Sequence, residues 1–273
     1  MRRGSRVRFL ISAVVGRVIA VYPIARLLER LAAARAPNPV APPSDGLPLP
    51  PARLRILVDG HAHPEVFLER AAIAEEQIRD SVARAGRELE ELGAILDFGC
   101  GCGRTARRWA HLRGPDLHGC DYNPRAVRWC SDNLPFMEFR TNSLEPPSPY
   151  PDDSFDLVYA LSVVPHMTEA QAHRWMADFA RILRPGGLLM LTTHGDAERH
   201  LLAGRRTGAR YDCGEAVVLG NRRSTGTNTC AAFHPPAYVV QRLLTGFELV
   251  AFVPGGTDPR SVQDVHLARL PRT

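Results

Sequence analysis

Apolar positions along the chain follow two rhythms. Short, nearly unbroken apolar runs at residues 94–98, 117–121, 136–141, 153–161 and 187–191 read as buried strands. Between them lie stretches with helical spacing, at 65–92, 104–112, 125–133 and 169–183. Strand and helix therefore alternate, the signature of an α/β sheet with parallel strands. After residue 195 the rhythm weakens for about forty residues. A last helix at 236–244 and two strands at 247–253 and 263–270 follow, joined through Gly255-Gly256. Residues 54–58 form one further short apolar run and read as a strand as well.

The first strand ends in Asp97 and breaks into Gly99, Gly101 and Gly103 before a helix. Glycines let the backbone turn sharply and approach a ligand with no Cβ in the way, so strand, turn and helix make a nucleotide-binding corner. The dinucleotide fingerprint needs a third small residue at 104, where this chain has Arg104. A second acidic strand end follows at Asp121, placed to accept from ribose hydroxyls.

The D-x-G-x-G-x-G run at 97–103, Asp121, the run 153–161 and the Leu183-Arg184-Pro185-Gly186-Gly187 stop before a strand resemble, in that order, the motifs of class I S-adenosylmethionine (SAM)-dependent methyltransferases. The resemblance covers residues 93–273 and resembles small-molecule members most. It implies a Rossmann-like seven-stranded sheet in the order 3-2-1-4-5-7-6, strand 7 antiparallel, flanked by helices, with an N-terminal helical extension. It implies SAM as the cofactor, held at Asp97, Gly99, Cys100, Gly101 and Asp121, with Tyr122, Asn142 and Ser143 at the adenine and Leu161 near the methionine portion. Asn142 stands where the family usually has an acidic residue, and its side-chain oxygen can still accept from an amine. The residues after 160 lack the [D/N]-P-P-[Y/F] run of enzymes that methylate base amines, which points to a small-molecule acceptor. His166 and His194, each just past a strand end, are the candidate bases, and His166 can equally serve to order its loop. Thr168 with Gln171 reads as the cap of the helix behind it. Two other readings stay open: a binding module that keeps the fold without turnover, and a metal-dependent hydrolase built on His61 and His63.

Composition narrows the partners. The net charge is +5 and the chain has no lysine, but arginines and acids are interspersed and form no single basic stripe, so nucleic acid is not an expected partner. The six cysteines show no C-x2-C pair, which argues against a zinc site and reads as reduced thiols in a cytoplasmic protein. Residues 1–36 form a basic and apolar segment interrupted by Arg17. An arginine mid-span costs a membrane helix roughly 2.5–3.5 kcal/mol, so packing on the protein or a partner fits this segment better than peripheral membrane contact, and spanning fits worst. Residues 37–53 are a proline-rich linker, 54–92 a helical cap, and 195–235 an insertion on the substrate side of the 93–273 domain.

Overall fold

A computed structural model of the chain describes residue 43 and residues 45–202, 206–220, 225–227, 230–256 and 262–272. The segment 1–36 and residues 37–42 of the linker lie outside them.

The five apolar runs become β1 (Ala94–Phe98), β2 (Asp116–Asp121), β3 (Glu138–Thr141), β4 (Phe155–Ala160) and β5 (Leu183–Thr193). They pair in parallel, and the two C-terminal strands, β8 (Glu248–Val253) and β9 (Asp264–Arg269), add antiparallel. The sheet order is β3-β2-β1-β4-β5-β9-β8, so the last strand in the chain is inserted beside β5, as expected. All five residues of β1 are buried, because helices cover both faces of the sheet. Alternation along the strands splits the core: Leu96, Phe98, Val158 and Leu191 face Trp175 and Phe179, while Ile95, Leu157, Tyr159 and Met190 face Ile78, Val82 and Trp109. Strand order reverses between β1 and β4, which opens a crevice at their carboxyl ends.

Residues 54–58 are not a strand. They belong to helix α1 (Ala52–Asp59), which starts after Pro51 and stops at Gly60 in a left-handed conformation, φ +69°. A short apolar run does not separate strand from helix by itself, and here the flanking proline and glycine decide it. Leu54 and Val58, one turn apart, pack with Phe67, Cys102 and Ala126. Buried Arg55 donates to the Ala62 carbonyl at 2.9 Å and to that of Pro50 at 2.6 Å, so the turn carrying His61 and His63 is a tethered connection between helices.

Other boundaries shift. Helix α2 (Pro64–Arg84) ends well before residue 92, because Gly86 takes φ +72° and a single 3-10 turn, Leu89–Glu91, follows. The helix expected at 104–112 is a 3-10 turn, Ala106–His111. Arg107 and Trp109 are both drawn into the interior there, and tertiary contact overrides helical propensity. Helix α3 (Pro124–Asn133) is capped by Asn123, which accepts from the Arg125 amide at 3.1 Å, and helix α4 (Glu169–Ile182) keeps its predicted cap, with Thr168 and Gln171 in a capping box. The Pro-Gly-Gly stretch does not turn before β5. Phe155 pairs with Leu183 and Leu157 with Leu188, so residues 184–187 bulge within the strand pair. Pro185 has no amide to donate and Gly186 sits at φ +81°. The 195–235 stretch is more ordered than its weak pattern suggests, with a 3-10 turn at Asp196–Leu202, helix α5 (Arg206–Asp212) and a small hairpin of β6 (Val217–Leu219) and β7 (Ala231–Phe233). The expected 236–244 helix begins as one α turn and continues as a π turn, Val239–Leu243. Among the described residues, no helix is long and apolar enough to cross a membrane.

The end of the proline-rich stretch is pinned to the body. The Arg107 guanidinium, its side chain 1% exposed, bonds both oxygens of Asp45, at 2.7 and 2.8 Å, and the carbonyls of Leu47 and Pro48. Burial works to raise the Asp45 carboxyl, but the bonds from Arg107 and the Leu47 amide outweigh it and hold the group below its usual value. Asp45→Ala leaves a buried guanidinium without its counter-charge and is expected to cost about 3 kcal/mol in urea denaturation at pH 7. Because the folded-state value is depressed, this contribution is present above about pH 4 and disappears as the pH falls through the folded-state value, so wild type and variant converge in acid.

Candidate functional site

The turn after β1 is built on backbone that only glycine tolerates. Gly99, Gly101 and Gly103 have φ of +78°, +54° and +75°. A Cβ on Gly99 would collide with Val163, and one on Gly101 would stand 2.6 Å from Val58 on α1. The turn is tied to the end of β2: the amides of Gly99 and Cys100 donate to the Cys120 carbonyl at 2.8 and 3.0 Å, and the Gly101 amide donates to Asp121 Oδ2 at 3.0 Å. Asp121 Oδ1 accepts from the Asn123 amide at 2.8 Å. The carboxylate thus closes the turn first, and each oxygen keeps a further lone pair.

A cavity of about 390 Å³ lies over this turn at the crevice between β1 and β4. The residues singled out for the cofactor and as candidate bases all lie on its wall: Asp97, Gly99, Cys100, Gly101, Asp121, Tyr122, Asn142, Ser143, Leu161, His166 and His194. The rest of the wall escaped sequence reasoning. Leu54, Leu57 and Val58 come from α1, misread as a strand, and Thr225 and Gly226 come from the insertion, where no local pattern marks them. Leu57, Tyr122 and Leu144 are 38–40% exposed, an apolar set on the cavity wall that is open to solvent.

Two buried acceptors on this wall have no hydrogen-bond partner, Asp97 Oδ2 and Asn142 Oδ1. Asp97 is anchored from behind: the Trp109 indole donates to the Tyr159 hydroxyl at 2.8 Å, and that hydroxyl donates to the Asp97 carboxylate. Burial pushes the Asp97 carboxyl up to about 7, and nearby Asp121 adds to the rise, against the pull of Tyr159 and Arg104. Burial likewise raises Asp121, opposed by its two amide donors. Asn142 is fixed by its amide to the Asp121 carbonyl at 3.2 Å and by Nδ2 to the Ser143 carbonyl at 2.7 Å. The Ser143 hydroxyl donates to the Glu145 carbonyl, which turns it along the chain. The Cys100 thiol is held protonated by its bond with Cys130 and by burial, so it is a wall and not a nucleophile. None of the six cysteines is in a disulfide, and only Cys213 is exposed.

On the other side of the cavity, Ser162 takes a left-handed φ of +58° at the end of β4. Its amide donates to Thr192 Oγ1 at 2.7 Å and its hydroxyl accepts from Gln263 at 3.0 Å, which holds the corner from β5 and from the residue before β9. His166 Nδ1 donates to the Cys230 carbonyl at 2.8 Å, leaving Nε2 as the basic nitrogen. Burial is the main influence and keeps its imidazole below the usual value, hence neutral. His194 Nδ1 is engaged by the Glu198 carboxylate, and the two imidazole rings lie 6.5 Å apart. Glu198 was not anticipated, although its spacing of four from His194 was a readable signal. His61 and His63 do not line this cavity, and among the described residues no three His, Cys, Asp or Glu side chains gather to hold a metal ion.

Residues 95–187 match the family described as a methyltransferase domain. Over those residues the chain is similar to methyltransferase domains. The chain is 30% identical over 128 residues to the ubiquinone biosynthesis O-methyltransferase of Maricaulis maris, covering 45% of this chain and 49% of that one. It is 36% identical over 107 residues to the 27-O-demethylrifamycin SV methyltransferase of Amycolatopsis mediterranei, covering 36% of this chain and 37% of that one. The matched region thus spans about half or less of the length of these relatives. A SAM-dependent methyltransferase structure from Methanosarcina mazei aligns with a TM-score of 0.53 at 22% identity, covering 68% of this chain and 95% of that one, and shares the fold.

The raised Asp97 value makes a signed prediction. The protonated carboxyl stabilises the folded state fully below about pH 4, and that contribution is lost as the pH rises through about 7. Asp97→Asn is therefore expected to be more stable than wild type at pH 8, by an amount on the order of a few kcal/mol, with the gap closing at pH 4 in urea titrations of the unliganded protein.

Proposed function

We propose that the chain is an enzyme that transfers a methyl group from SAM to a small-molecule acceptor. The observation that carries this reading is the pair of buried, unpartnered acceptors, Asp97 Oδ2 and Asn142 Oδ1, on the wall of a cavity whose floor is bare glycine backbone. Buried polar groups without partners are costly, and a ligand with matching donors recovers that cost. SAM has such donors: an ammonium for Asp97, an adenine amine for Asn142, and ribose hydroxyls for the remaining lone pairs of Asp121. Gly99, Cys100 and Gly101 admit the cofactor close to the backbone, Tyr122 and Ser143 flank the adenine, and Leu161 flanks the methionine portion. When bound, SAM supplies the methyl group: the acceptor's lone pair takes it as the carbon–sulfur bond breaks, the bonding electrons stay on sulfur, and S-adenosylhomocysteine is left.

The chain's own task is then alignment, exclusion of water and removal of a proton where the acceptor carries one. Helix α1 lies over the glycine turn and Thr225-Gly226 beside Leu144 and Tyr122, and both line the cavity, which supports assigning 54–92 as a cover and 195–235 as the substrate-side insertion of a 93–273 domain. Relatives named for ubiquinone biosynthesis and for 27-O-demethylrifamycin SV support a small organic acceptor. Thiols without disulfides and interspersed charge support a cytoplasmic protein with no nucleic-acid partner, and residues 1–36 are assigned to packing on the protein or a partner, ahead of peripheral membrane contact.

Asp121→Ala is expected to weaken S-adenosylhomocysteine binding at least tenfold by calorimetry, since hydrogen bonds to charged groups contribute about 1.5–3 kcal/mol each. Unchanged affinity in a folded variant would sink the cofactor assignment.

A further inference from the structure

Glu198 is on the first 3-10 turn after β5, behind His194 rather than on the cavity wall. Its carboxylate engages His194 Nδ1, and both side chains are largely buried. The ring is further fixed by packing on Phe233, centroids 5.4 Å apart, and the His194 carbonyl accepts from the His234 amide at 2.8 Å. With Nδ1 committed, the nitrogen that His194 has left for the cavity is Nε2. His166 stands 6.5 Å away with its own Nδ1 committed to Cys230, so a second imidazole also offers a lone pair at Nε2. One ring is thus backed by a carboxylate and the other by a neutral carbonyl. Only the first is hydrogen-bonded to a counter-charge for a proton it takes up.

The rest of the wall says what proton that is. Around His166 it carries Val163 and Met167 from the same segment and, across Gly226, Leu144. Among the described residues the acidic side chains on the wall are Asp97 and Asp121, both on the glycine-turn side, so a cationic amine finds no carboxylate lining the cavity on the histidine side. An imidazole can assist the loss of a proton from a phenol-like hydroxyl as the oxygen attacks, whereas an aliphatic alcohol is far too weak an acid. We propose that Glu198 is a positioning residue that holds His194 as general base for an acceptor with an acidic hydroxyl, a phenol or enol, on an apolar framework. The hydroxyl proton passes to His194 Nε2, Glu198 offsets the charge on the ring, and the proton leaves to solvent after transfer. This rests on the methyl-transfer reading above.

The test uses the whole chain saturated with S-adenosylhomocysteine and 4-nitrophenol as probe, whose ionisation is visible in its absorbance. The groups facing His194 are Glu198 on its own turn, His166 from the segment after β4 and His234 after β7, with Asp196 and Asp264 beside Glu198. Wild type is expected to bind the probe with its phenolate fraction raised about fivefold over free probe one pH unit below the free midpoint. Glu198→Gln and His194→Gln are expected to return it to the free value while S-adenosylhomocysteine affinity stays within about twofold. In nitrogen-15 spectra of the histidines, Glu198→Ala is expected to change the His194 tautomer. A probe that does not bind, a wild-type spectrum like that of free probe, or an unaltered spectrum and tautomer in folded Glu198 variants overturns the proposal. Failure of wild type to bind S-adenosylhomocysteine would instead overturn the methyl-transfer reading.

Discussion

The Asp121 carboxylate holds the site together. It receives the Gly101 amide on one oxygen and the Asn123 amide on the other, and so joins the glycine turn after β1 to the start of α3. The turn it holds has three left-handed residues in a row of seven, a conformation that L side chains resist. Neighbours have closed in on the missing side chains: Val163 against Gly99, Val58 over Gly101, Leu134 and Cys130 against Gly103. The cavity wall is therefore shaped by where side chains are absent, and α1 is seated by that absence.

Around this turn the charges are arranged at a cost. Asp97 and Asp121 are both buried, and each is pushed toward its neutral form. Asp97 is not left to relax, because the Trp109–Tyr159 pair grips it from the core. A carboxylate fixed in that way, with one oxygen unpartnered, is preorganised for a donor and best satisfied by a cationic one. Across the cavity the polarity is different. His166 is kept neutral by burial and His194 is backed by Glu198, so one side of the cavity suits a charged, hydrogen-bonding ligand and the other suits an apolar one with a single exchangeable proton.

The strands, their order and the eleven anticipated wall residues were legible because each rests on a local signal. Five apolar runs are short and buried, the glycines at 99, 101 and 103 recur every second residue, and Asp97 and Asp121 close strands of a sheet whose C-terminal edge gathers ligands. Where the reading failed, a local signal was shared by two structures. Residues 54–58 suit strand or helix alike, and Pro51 with Gly60 settled it. The Pro-Gly-Gly stretch suits a turn or a bulge, and the pairing of Leu183 with Phe155 settled that.

By itself the sequence determined the sheet, the glycine turn and the identity of the groups at the strand ends, since these depend on periodicity and on backbone conformations that few residues tolerate. Only the tertiary structure decided what covers the turn and what stands behind each histidine. Val58 lies 43 positions before Gly101, and Cys230 lies 64 positions after His166. Contacts of that span leave no periodic trace in the chain, because they are fixed by packing and burial after the sheet has formed.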